Sequence, residues 1–296
     1  MFSQVVQQDI QEIHSAFLHS KKVRLLVQRE DLNDPYCMGN KWWKLRYNLI
    51  EAIREKHNKV LTFGGAFSNH IVATASACNR MGLKSIGIIR GDSTDKLNPS
   101  LIRAQNDGME LFFVDRQIYR NKSNIDWKSI YGDHYLIPEG GTNELAVSSC
   151  EEMISFKEFD MVCVPVGTGG TLSGIIRSLK PSQHAIGFSS LKGGGFLNDE
   201  VKKYVDHSNW SIQFDYHFGG YAKINLELLS FMNEFKRDFS IQLDPVYTAK
   251  MFYGIFDMIK NEQIRSNSTI LAVHTGGTQG IEGMNQRIQS KEWKID

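Results

Sequence analysis

The chain has 296 residues, enough for two ordinary domains of roughly 150 residues each or for one large α/β unit with a deep cleft. Its 34 Lys and Arg residues nearly balance 33 Asp and Glu residues, and the formal charge of +1 argues against nucleic acid or an anionic membrane as the main partner. Hydrophobic residues make up 41% and charged residues 23%, which is typical of a folded protein and argues against intrinsic disorder.

The first 17 residues mix Gln, Asp and Glu with single apolar positions, so they lack the basic and apolar regions of a signal peptide. No stretch approaches about 20 consecutive apolar residues. The cysteines have neither CxxC nor Cys/His ligand spacing, which argues against a zinc site and against a disulfide framework. They are Cys37, Cys78, Cys150 and Cys163. These features predict a cytoplasmic protein with reduced thiols, no membrane partner and no bound metal.

The first half of the chain alternates helical and strand patterns. The segment that starts at Trp43 carries apolar residues on two sides and predicts a well-buried helix. Residues 59–82 read KVLTFGGAFSNHIVATASACNRMG, which predicts a strand, a glycine turn and a helix. A strand at 85–90, a helix at 99–106 and a strand at 109–115 follow. This alternation predicts βαβ crossovers and a parallel sheet.

A second α/β series occupies the other half of the chain. Residues 159–179 read FDMVCVPVGTGGTLSGIIRSL, again a strand, a glycine loop and a helix, and further strands are predicted near His184 and Thr269. The aromatic, turn-rich residues 127–142 look like a connection between the two series. We place the boundary between them near residue 155.

A glycine loop follows the apolar strand MVCVPV and opens the next helix. It consists of Gly167, Thr168, Gly169, Gly170 and Thr171. Small residues let backbone N–H groups converge on an anion at the positive end of the helix, and the threonine hydroxyls add donors, so the loop suits a phosphate. It lacks the Gly-Lys-Ser/Thr of a Walker loop and the pattern of a dinucleotide-binding loop, which disfavours ATP and NAD. A tight turn between strand and helix explains the loop equally well.

Gly39, Asn40 and Lys41 directly precede the aromatic helix. An amine at a helix start, beside apolar and aromatic neighbours, can be kept partly neutral, as a Schiff-base lysine requires. Most lysines are solvated surface residues, however, and Lys44 shares a helix face with Lys41. The spacing alone does not choose between the two lysines.

Ser68, Asn69 and His70 lie at a strand-to-helix turn after Gly64 and Gly65. Ser68 and Asn69 are placed to bind a carboxylate or a ring hydroxyl, although Ser and Asn also favour helix capping. A histidine in this position is more often a packed or capping residue than a base.

Seven short motifs occur in an order that resembles the 1-aminocyclopropane-1-carboxylate deaminase/D-cysteine desulfhydrase family. They are Asn40-Lys41-x-x-Lys44-Leu45, Gly64-Gly65-x-x-Ser68-Asn69, IPEGGTN (137–143), VGTGGT (166–171), LKGGGFL (191–197), DPVYT (244–248) and HTGGTQG (274–280). Each motif is weak alone, but the series covers nearly the whole chain. The resemblance implies pyridoxal 5′-phosphate as cofactor and an α/β fold of two three-layer α/β/α domains with mostly parallel sheets, the fold type II of tryptophan synthase β. The implied larger, cofactor-binding domain is residues 1–46 plus 156–296, and the smaller is residues 47–155.

The resemblance also implies how the cofactor is held. Lys41, rather than Lys44, matches the lysine that forms the Schiff base with the cofactor. Asn69 would hydrogen-bond the ring hydroxyl, and the loop of residues 167–171 would hold the phosphate.

Further roles concern the substrate and the pyridine ring. Ser68 matches the serine assigned to the substrate carboxylate, or to attack on the cyclopropane ring in the deaminase. Tyr247 matches the active-site tyrosine above the cofactor. A hydroxyl from either Thr275 or Thr248 would face the pyridine nitrogen.

Departures from the family pattern bear on the substrate. Cyclopropane-carboxylate deaminases carry Glu after DPVY, whereas this chain has Thr248. A carboxylate favours a protonated pyridine and therefore a strong electron sink, and a neutral threonine does not, so Thr248 favours the desulfhydrase-like activity. Trp43 and Arg46 stand where the family often has Arg and Glu, which changes the charge partners of this helix but not the lysine chemistry.

The sequence therefore predicts a pyridoxal-phosphate-dependent lyase or deaminase that acts on a small amino acid, with desulfhydrase-like elimination to a 2-oxo acid and ammonia. The alternatives are a 1-aminocyclopropane-1-carboxylate deaminase and a non-catalytic ligand-binding protein on the same fold. A nucleotide-binding α/β enzyme is a third reading of the glycine loop. The resemblance also implies a homodimer.

Overall fold

Two sheets, each covered by helices on both faces, organise the computed structural model, which describes residues 9–92 and 97–296. Within these residues the strands are β1 (Ile10–Ile13), β2 (Arg24–Gln28), β3 (Lys59–Gly65), β4 (Lys84–Arg90), β5 (Met109–Val114), β6 (Tyr135–Leu136), β7 (Met161–Val166), β8 (His184–Ser189), β9 (Trp210–Gln213) and β10 (Thr269–Val273). The larger sheet has the order β1-β2-β10-β7-β8-β9 and the smaller has the order β5-β4-β3-β6. Every pairing is parallel except that of β1 with β2, which confirms the predicted α/β fold with mostly parallel sheets.

Helices connect the strands in the alternation that the sequence predicts. The α-helices of the described residues are α1 (Ala16–Lys21), α2 (Asn40–Arg54), α3 (Asn69–Arg80), α4 (Pro99–Asn106), α5 (Arg116–Arg120), α6 (Trp127–Tyr131), α7 (Glu144–Glu151), α8 (Gly170–Arg177), α9 (Leu197–Lys202), α10 (Leu226–Phe239), α11 (Thr248–Lys260) and α12 (Ile281–Ile288). Short 3₁₀ helices cover Glu30–Leu32, Lys122–Asn124, Glu139–Gly141, Gly194–Phe196, Thr278–Gly280 and Gln289–Lys291. Among the residues that the structure describes, no helix combines the length and the apolar character needed to cross a bilayer.

The central strands of the larger sheet bury both faces. In β2, Leu26 belongs to one apolar cluster while Leu25 and Val27 belong to the other. Helices α2 and α8 contribute to the first cluster, and α10 and α11 contribute to the second. Because successive side chains of a strand point to opposite faces, burial on both sides explains why these strands are apolar runs rather than alternating patterns.

The smaller sheet also has apolar clusters on both faces, one with residues of α3 and α4 and one with residues of α5 and α6. Its strands come from residues 59–136, whereas those of the larger sheet come from residues 10–28 and 161–273. The domain limits at residues 46 and 155 remain a prediction. Residues 1–8 and 93–96, which that prediction includes, lie outside the described residues.

Two details differ from the sequence predictions. Helix α2 buries Leu45 and Leu49 completely, but Ile50 and Ile53 are 45% and 46% exposed, so the prediction of burial on both sides of this helix is wrong for those two residues. Neighbouring elements therefore cover less of α2 than its apolar pattern predicts, which helical periodicity alone does not show. The predicted connection, residues 127–142, also contains α6 and β6, and β6 pairs with β3 as an edge strand of the smaller sheet.

Candidate active site

One cavity of about 520 Å³ lies where strands β3, β7 and β10 end, a size usual for a small-ligand site. The carboxyl ends of parallel strands are the common place for ligands in α/β proteins. The predicted site residues that line the cavity are Lys41, Ser68, Asn69, Gly167, Thr168, Gly169, Gly170, Thr171, Tyr247 and Thr275.

Thr248 is the predicted site residue that does not line this cavity. Its side chain is fully buried, and its hydroxyl donates to the Asp244 carboxylate at 2.9 Å and accepts from the Asp244 backbone N–H at 2.8 Å. The structure therefore uses this hydroxyl to close the turn before α11. Of the two threonines proposed for the pyridine nitrogen, Thr275 is the one that reaches the cavity.

A close backbone approach fixes the start of α2. Gly39 has a φ of 71°, and a Cβ at this position would lie 1.9 Å from the Thr275 carbonyl oxygen. The Asn33 side chain accepts from the Gly39 N–H at 2.8 Å and donates to the Gly39 carbonyl at 3.1 Å. Only glycine fits this conformation at this distance, and the contact places the first turn of α2 against the loop after β10.

Lys41 lies in that first turn, next to the glycine loop. Its Nζ donates to Asn40 Oδ1 at 2.9 Å, and Asn40 Nδ2 donates to Thr171 Oγ1 at 2.8 Å. Burial lowers the pKa of Lys41 to about 8 because the charged form loses its hydration. Near neutral pH, a larger fraction of this amine is unprotonated than for a surface lysine, as attack on an aldehyde requires.

Lys44, one helical turn further on, lies at the start of α8. It is 2% exposed, and its Nζ donates to Thr142 Oγ1 at 2.8 Å and to Thr168 Oγ1 at 3.3 Å. Burial, together with the positive charge of Lys41, lowers the pKa of Lys44 to about 7. An amine and two hydroxyls thus meet the N-terminus of α8, an arrangement that suits a phosphate. Sequence reasoning considered Lys44 only as a rival Schiff-base lysine and missed Thr142, although both residues belong to motifs that it quoted.

The turn after β3 supplies another part of the cavity wall. Ser68 caps α3 by accepting the Ile71 N–H at 3.4 Å, and Asn69 Oδ1 accepts from Gln279 Nε2 at 3.1 Å. Both side chains also line the cavity. The capping role and a ligand-binding role are therefore compatible for this turn.

His70 is a packed histidine in this structure. It is 2% exposed, and its Nε2 lies 2.7 Å from Thr62 Oγ1, whose hydroxyl donates to the Ile137 carbonyl at 2.9 Å. Because the threonine proton is used in that bond, His70 must donate from Nε2. Burial and the nearby charge of Lys41 lower the pKa of His70 well below its usual value, so the imidazole stays neutral.

Two tyrosines form a second part of the cavity wall, which adjoins the glycine loop, since a Cβ at Gly167 would lie 3.2 Å from the Tyr247 hydroxyl. Tyr247 precedes α11, where the Asp244 carboxylate accepts the backbone N–H groups of residues 246, 247 and 248 at 2.8 to 3.0 Å. Its ring meets the Tyr221 ring edge-to-face at 6.1 Å. Burial raises the pKa of Tyr247 well above its usual value, so this phenol keeps its proton. Tyr221 also lines the cavity. The sequence analysis did not select it, although the glycine pair that precedes it indicates a turn.

Comparison with known sequences agrees with this geometry. The profile of the family described as pyridoxal-phosphate dependent enzyme matches residues 11–276. The chain belongs to this family, and pyridoxal phosphate is its cofactor. The fold is therefore the fold type II that the sequence motifs imply.

Two relatives and one solved structure show which members of this family the chain is similar to. A Thermotoga maritima protein named provisionally as a 1-aminocyclopropane-1-carboxylate deaminase is 31% identical over 89% of this chain and 92% of its own length. The bifunctional mitochondrial D-cysteine desulfhydrase/1-aminocyclopropane-1-carboxylate deaminase of Arabidopsis thaliana is 28% identical over 87% of this chain and 73% of its own length. A solved structure described as an ACC deaminase homologue aligns with a TM-score of 0.79 at 25% identity, covering 96% of this chain and 93% of its own.

The residues of the cavity fit this cofactor. The partly buried amine of Lys41 and a cluster of anion-binding donors line the same space. The Asn40 side chain connects them through hydrogen bonds to Lys41 and Thr171. One molecule that carries an aldehyde and a phosphate can therefore meet both groups.

Proposed function

We propose that this chain is a lyase that deaminates a small amino acid by desulfhydrase-like elimination, releasing a 2-oxo acid and ammonia. The observation that carries the proposal is that Lys41 and the 167–171 loop line one cavity. The names of the Arabidopsis relative and of a Klebsiella pneumoniae relative, a D-cysteine desulfhydrase that is 24% identical over 87% of this chain and 88% of its own length, support this substrate class. When bound, the cofactor supplies an electron sink for the negative charge that develops at the substrate Cα.

Contacts within the cavity favour different roles for the two lysines. Lys44 Nζ lies on the hydroxyls of Thr142 and Thr168 at the start of α8, so it pairs with the cofactor phosphate. Lys41 Nζ contacts the Asn40 amide instead, which leaves it available for the aldehyde. Asn69 would then donate to the ring hydroxyl.

Thr275 completes the proposed cofactor contacts by facing the pyridine nitrogen. Thr248 is not assigned this role, because its hydroxyl is held by Asp244 outside the cavity. A threonine hydroxyl opposite this nitrogen does not protonate it as a carboxylate would. The electron sink is then moderate, which suits elimination of a good leaving group such as a thiolate better than opening of a cyclopropane ring.

The remaining side chains act on the substrate. Ser68 and the N-terminus of α3 bind its carboxylate. Lys41, once its amine is free of the cofactor, takes the proton from Cα. Tyr247, whose phenol stays protonated because it is buried, donates a hydrogen bond or a proton to the departing group.

The second candidate is 1-aminocyclopropane-1-carboxylate deaminase. The 31% identity to the Thermotoga protein and the bifunctional name of the Arabidopsis relative favour it. We further propose that the protein is a cytoplasmic homodimer, as the resemblance to fold type II enzymes implies.

The decisive experiment is a spectrum of the purified protein with pyridoxal phosphate, followed by titration with D-cysteine and with 1-aminocyclopropane-1-carboxylate. We expect a visible band from the bound cofactor, and release of sulfide, ammonia and a 2-oxo acid from D-cysteine. Product from the cyclopropane substrate alone would favour the second candidate. A band that responds to both amino acids without any product would favour a non-catalytic binding protein, and absence of the band would contradict the proposal.

A further inference from the structure

Tyr221 reaches the cavity on a turn with an unusual backbone. The backbone φ is positive at Phe218 (50°), Gly219 (90°), Gly220 (115°) and Ala222 (53°). For residues other than glycine this conformation is strained, because the Cβ approaches the following carbonyl oxygen. The contacts around the turn must therefore hold it in place.

A buried lysine makes those contacts. Lys250 is 1% exposed, and its Nζ donates to the His217 carbonyl at 2.9 Å and to the Gly220 carbonyl at 2.8 Å. The same two carbonyls accept the backbone N–H groups of Gly220 at 2.9 Å and of Lys223 at 3.1 Å. One ammonium group thus joins two consecutive turns, and Tyr221 lies within the second of them.

The position of Lys250 in the chain couples the two tyrosines of the cavity. Lys250 is the third residue of α11, and Tyr247 immediately precedes this helix. The Tyr221 ring packs edge-to-face on Tyr247 at 6.1 Å, and the Tyr221 hydroxyl donates to the Phe67 carbonyl at 3.4 Å. The start of α11 therefore carries one tyrosine directly and holds the other through the lysine side chain.

This placement of a charge is unfavourable by itself. A cation near a helix N-terminus opposes the helix dipole, and a buried ammonium loses its hydration. Burial lowers the pKa of Lys250 to about 8, although the Asp244 carboxylate opposes the shift. A methionine of similar length would fill the space without these costs. We therefore attribute the role of the ammonium group to its hydrogen bonds with the two carbonyl groups.

We propose that Lys250 is a positioning residue that fixes the turn of residues 217–223 and thereby holds Tyr221 against Tyr247 in the wall of the cavity. Lys250 does not line the cavity itself, so it acts through Tyr221 rather than on the substrate. The structural part of this inference is independent of the reaction, and only its kinetic part rests on the proposed function.

Amide hydrogen exchange measured by mass spectrometry tests the structural part. In Lys250→Met we expect peptides that cover residues 217–223 to exchange at least about tenfold faster, because the two turns lose a shared donor, while peptides of β7 and α8 keep their wild-type rates. Lys250→Arg, which retains a cationic donor, should show a smaller increase. Lys260→Met, at the exposed end of the same helix, is the matched control. Wild-type exchange at 217–223 in a folded Lys250→Met protein would overturn the inference.

A double-mutant cycle tests the kinetic part. Lys250→Met should lower kcat/KM by about 10- to 100-fold, because small displacements of catalytic groups cost that much, but by less than about twofold when Tyr221→Ala is already present. Independent, multiplying effects of the two substitutions would show that Lys250 does not act through Tyr221. If the wild-type protein processed no amino acid, the proposed function would fail, and the exchange experiment would still decide the role of Lys250.

Discussion

Two parts of the cavity wall, which we call the phosphate end and the tyrosine end, are built in different ways. The phosphate end, made of Lys41, Lys44 and the 167–171 loop, consists of helix starts and short polar side chains joined by hydrogen bonds of 2.6 to 3.3 Å. The tyrosine end, made of Tyr221 and Tyr247, consists of large rings held by a turn with positive φ angles and by a buried lysine outside the cavity. Both ends join segments that are distant in the sequence, but the first joins them through close backbone approach at glycines and short polar contacts, whereas the second joins them through packing of large rings.

Burial shifts the pKa values of the ionisable groups in opposite directions at the two ends, and at both ends it favours the neutral form. It lowers the pKa values of Lys41 and Lys44 to about 8 and about 7, and it raises the pKa of Tyr247 well above its usual value. A phosphate at the first end favours the charged form of Lys44 again. The protonation of Lys44 at the phosphate end therefore depends on whether a phosphate is bound. The tyrosine end does not need a ligand to keep its phenol neutral.

The largest expected effect concerns Lys41. Lys41→Met should remove the visible band of the bound cofactor and lower kcat by at least about 10³-fold, because the proposed arrangement uses Lys41 for the aldehyde and Lys44 for the phosphate. Absorbance and product release measure the two effects. Lys84→Met, at the exposed start of β4, is the control and should match the wild type. A visible band that persists in Lys41→Met would shift the Schiff-base role to Lys44.

A matched pair of glycines tests how much the phosphate end depends on close backbone approach. Gly39 and Gly82 have φ values of 71° and 72°, but a Cβ at Gly39 would lie 1.9 Å from the Thr275 carbonyl oxygen, whereas a Cβ at Gly82 meets nothing within 4 Å. Gly82→Ala should therefore lower the free energy of unfolding by about 1 kcal/mol, from backbone strain alone.

Gly39→Ala should cost more than about 3 kcal/mol and weaken cofactor binding, because the start of α2 must move away from the loop after β10. Urea denaturation and cofactor titration measure both effects. Equal destabilisation by the two substitutions would show that this contact does not constrain the site.

The difference between local patterns and tertiary contacts explains what the sequence can predict. The loop of residues 167–171 and the turn at 64–69 are local patterns, a strand followed by glycines and a helix start, so their structure follows from neighbouring residues. Tyr221 and Thr142 were missed as site residues because each reaches the cavity only through tertiary packing. The family resemblance implied Thr248 as one of two candidates for the pyridine nitrogen, but its place in the DPVYT motif does not show that its side chain points to Asp244.

The third prediction concerns Lys44 and distinguishes a role in phosphate binding from a role in Schiff-base chemistry. Lys44→Met should weaken the affinity for pyridoxal phosphate by roughly 10- to 100-fold, as loss of a hydrogen bond between charged groups predicts. The visible band should remain at saturating cofactor. Pyridoxal, which lacks the phosphate, is the control ligand, and the variant should bind it as the wild type does. An equal loss for both ligands would contradict a phosphate contact.

The same lysines predict a pH dependence of the cofactor-free protein. Their pKa values of about 8 and about 7 lie below the value of about 10.4 for an unfolded chain. Between these limits the unfolded chain binds protons that the native protein does not, so the free energy of unfolding rises with pH. From pH 7 to pH 9 we expect a gain of roughly 2–4 kcal/mol by urea denaturation, and a smaller gain in Lys44→Met. A flat profile would mean that these amines are already solvated.

The smallest expected effect tests whether Thr248, next to Tyr247, lies outside the cofactor site. Thr248→Val keeps the shape of the side chain but removes the hydroxyl that donates to the Asp244 carboxylate and accepts from the Asp244 N–H, so it should lower the free energy of unfolding by about 1 kcal/mol. Because Thr248 lies outside the cavity, the cofactor band should not change. Thr275→Val, within the cavity, should shift that band, because it removes the hydroxyl proposed to face the pyridine nitrogen. A band shift in Thr248→Val that equals the shift in Thr275→Val would place both hydroxyls at the cofactor and extend the site past the start of α11.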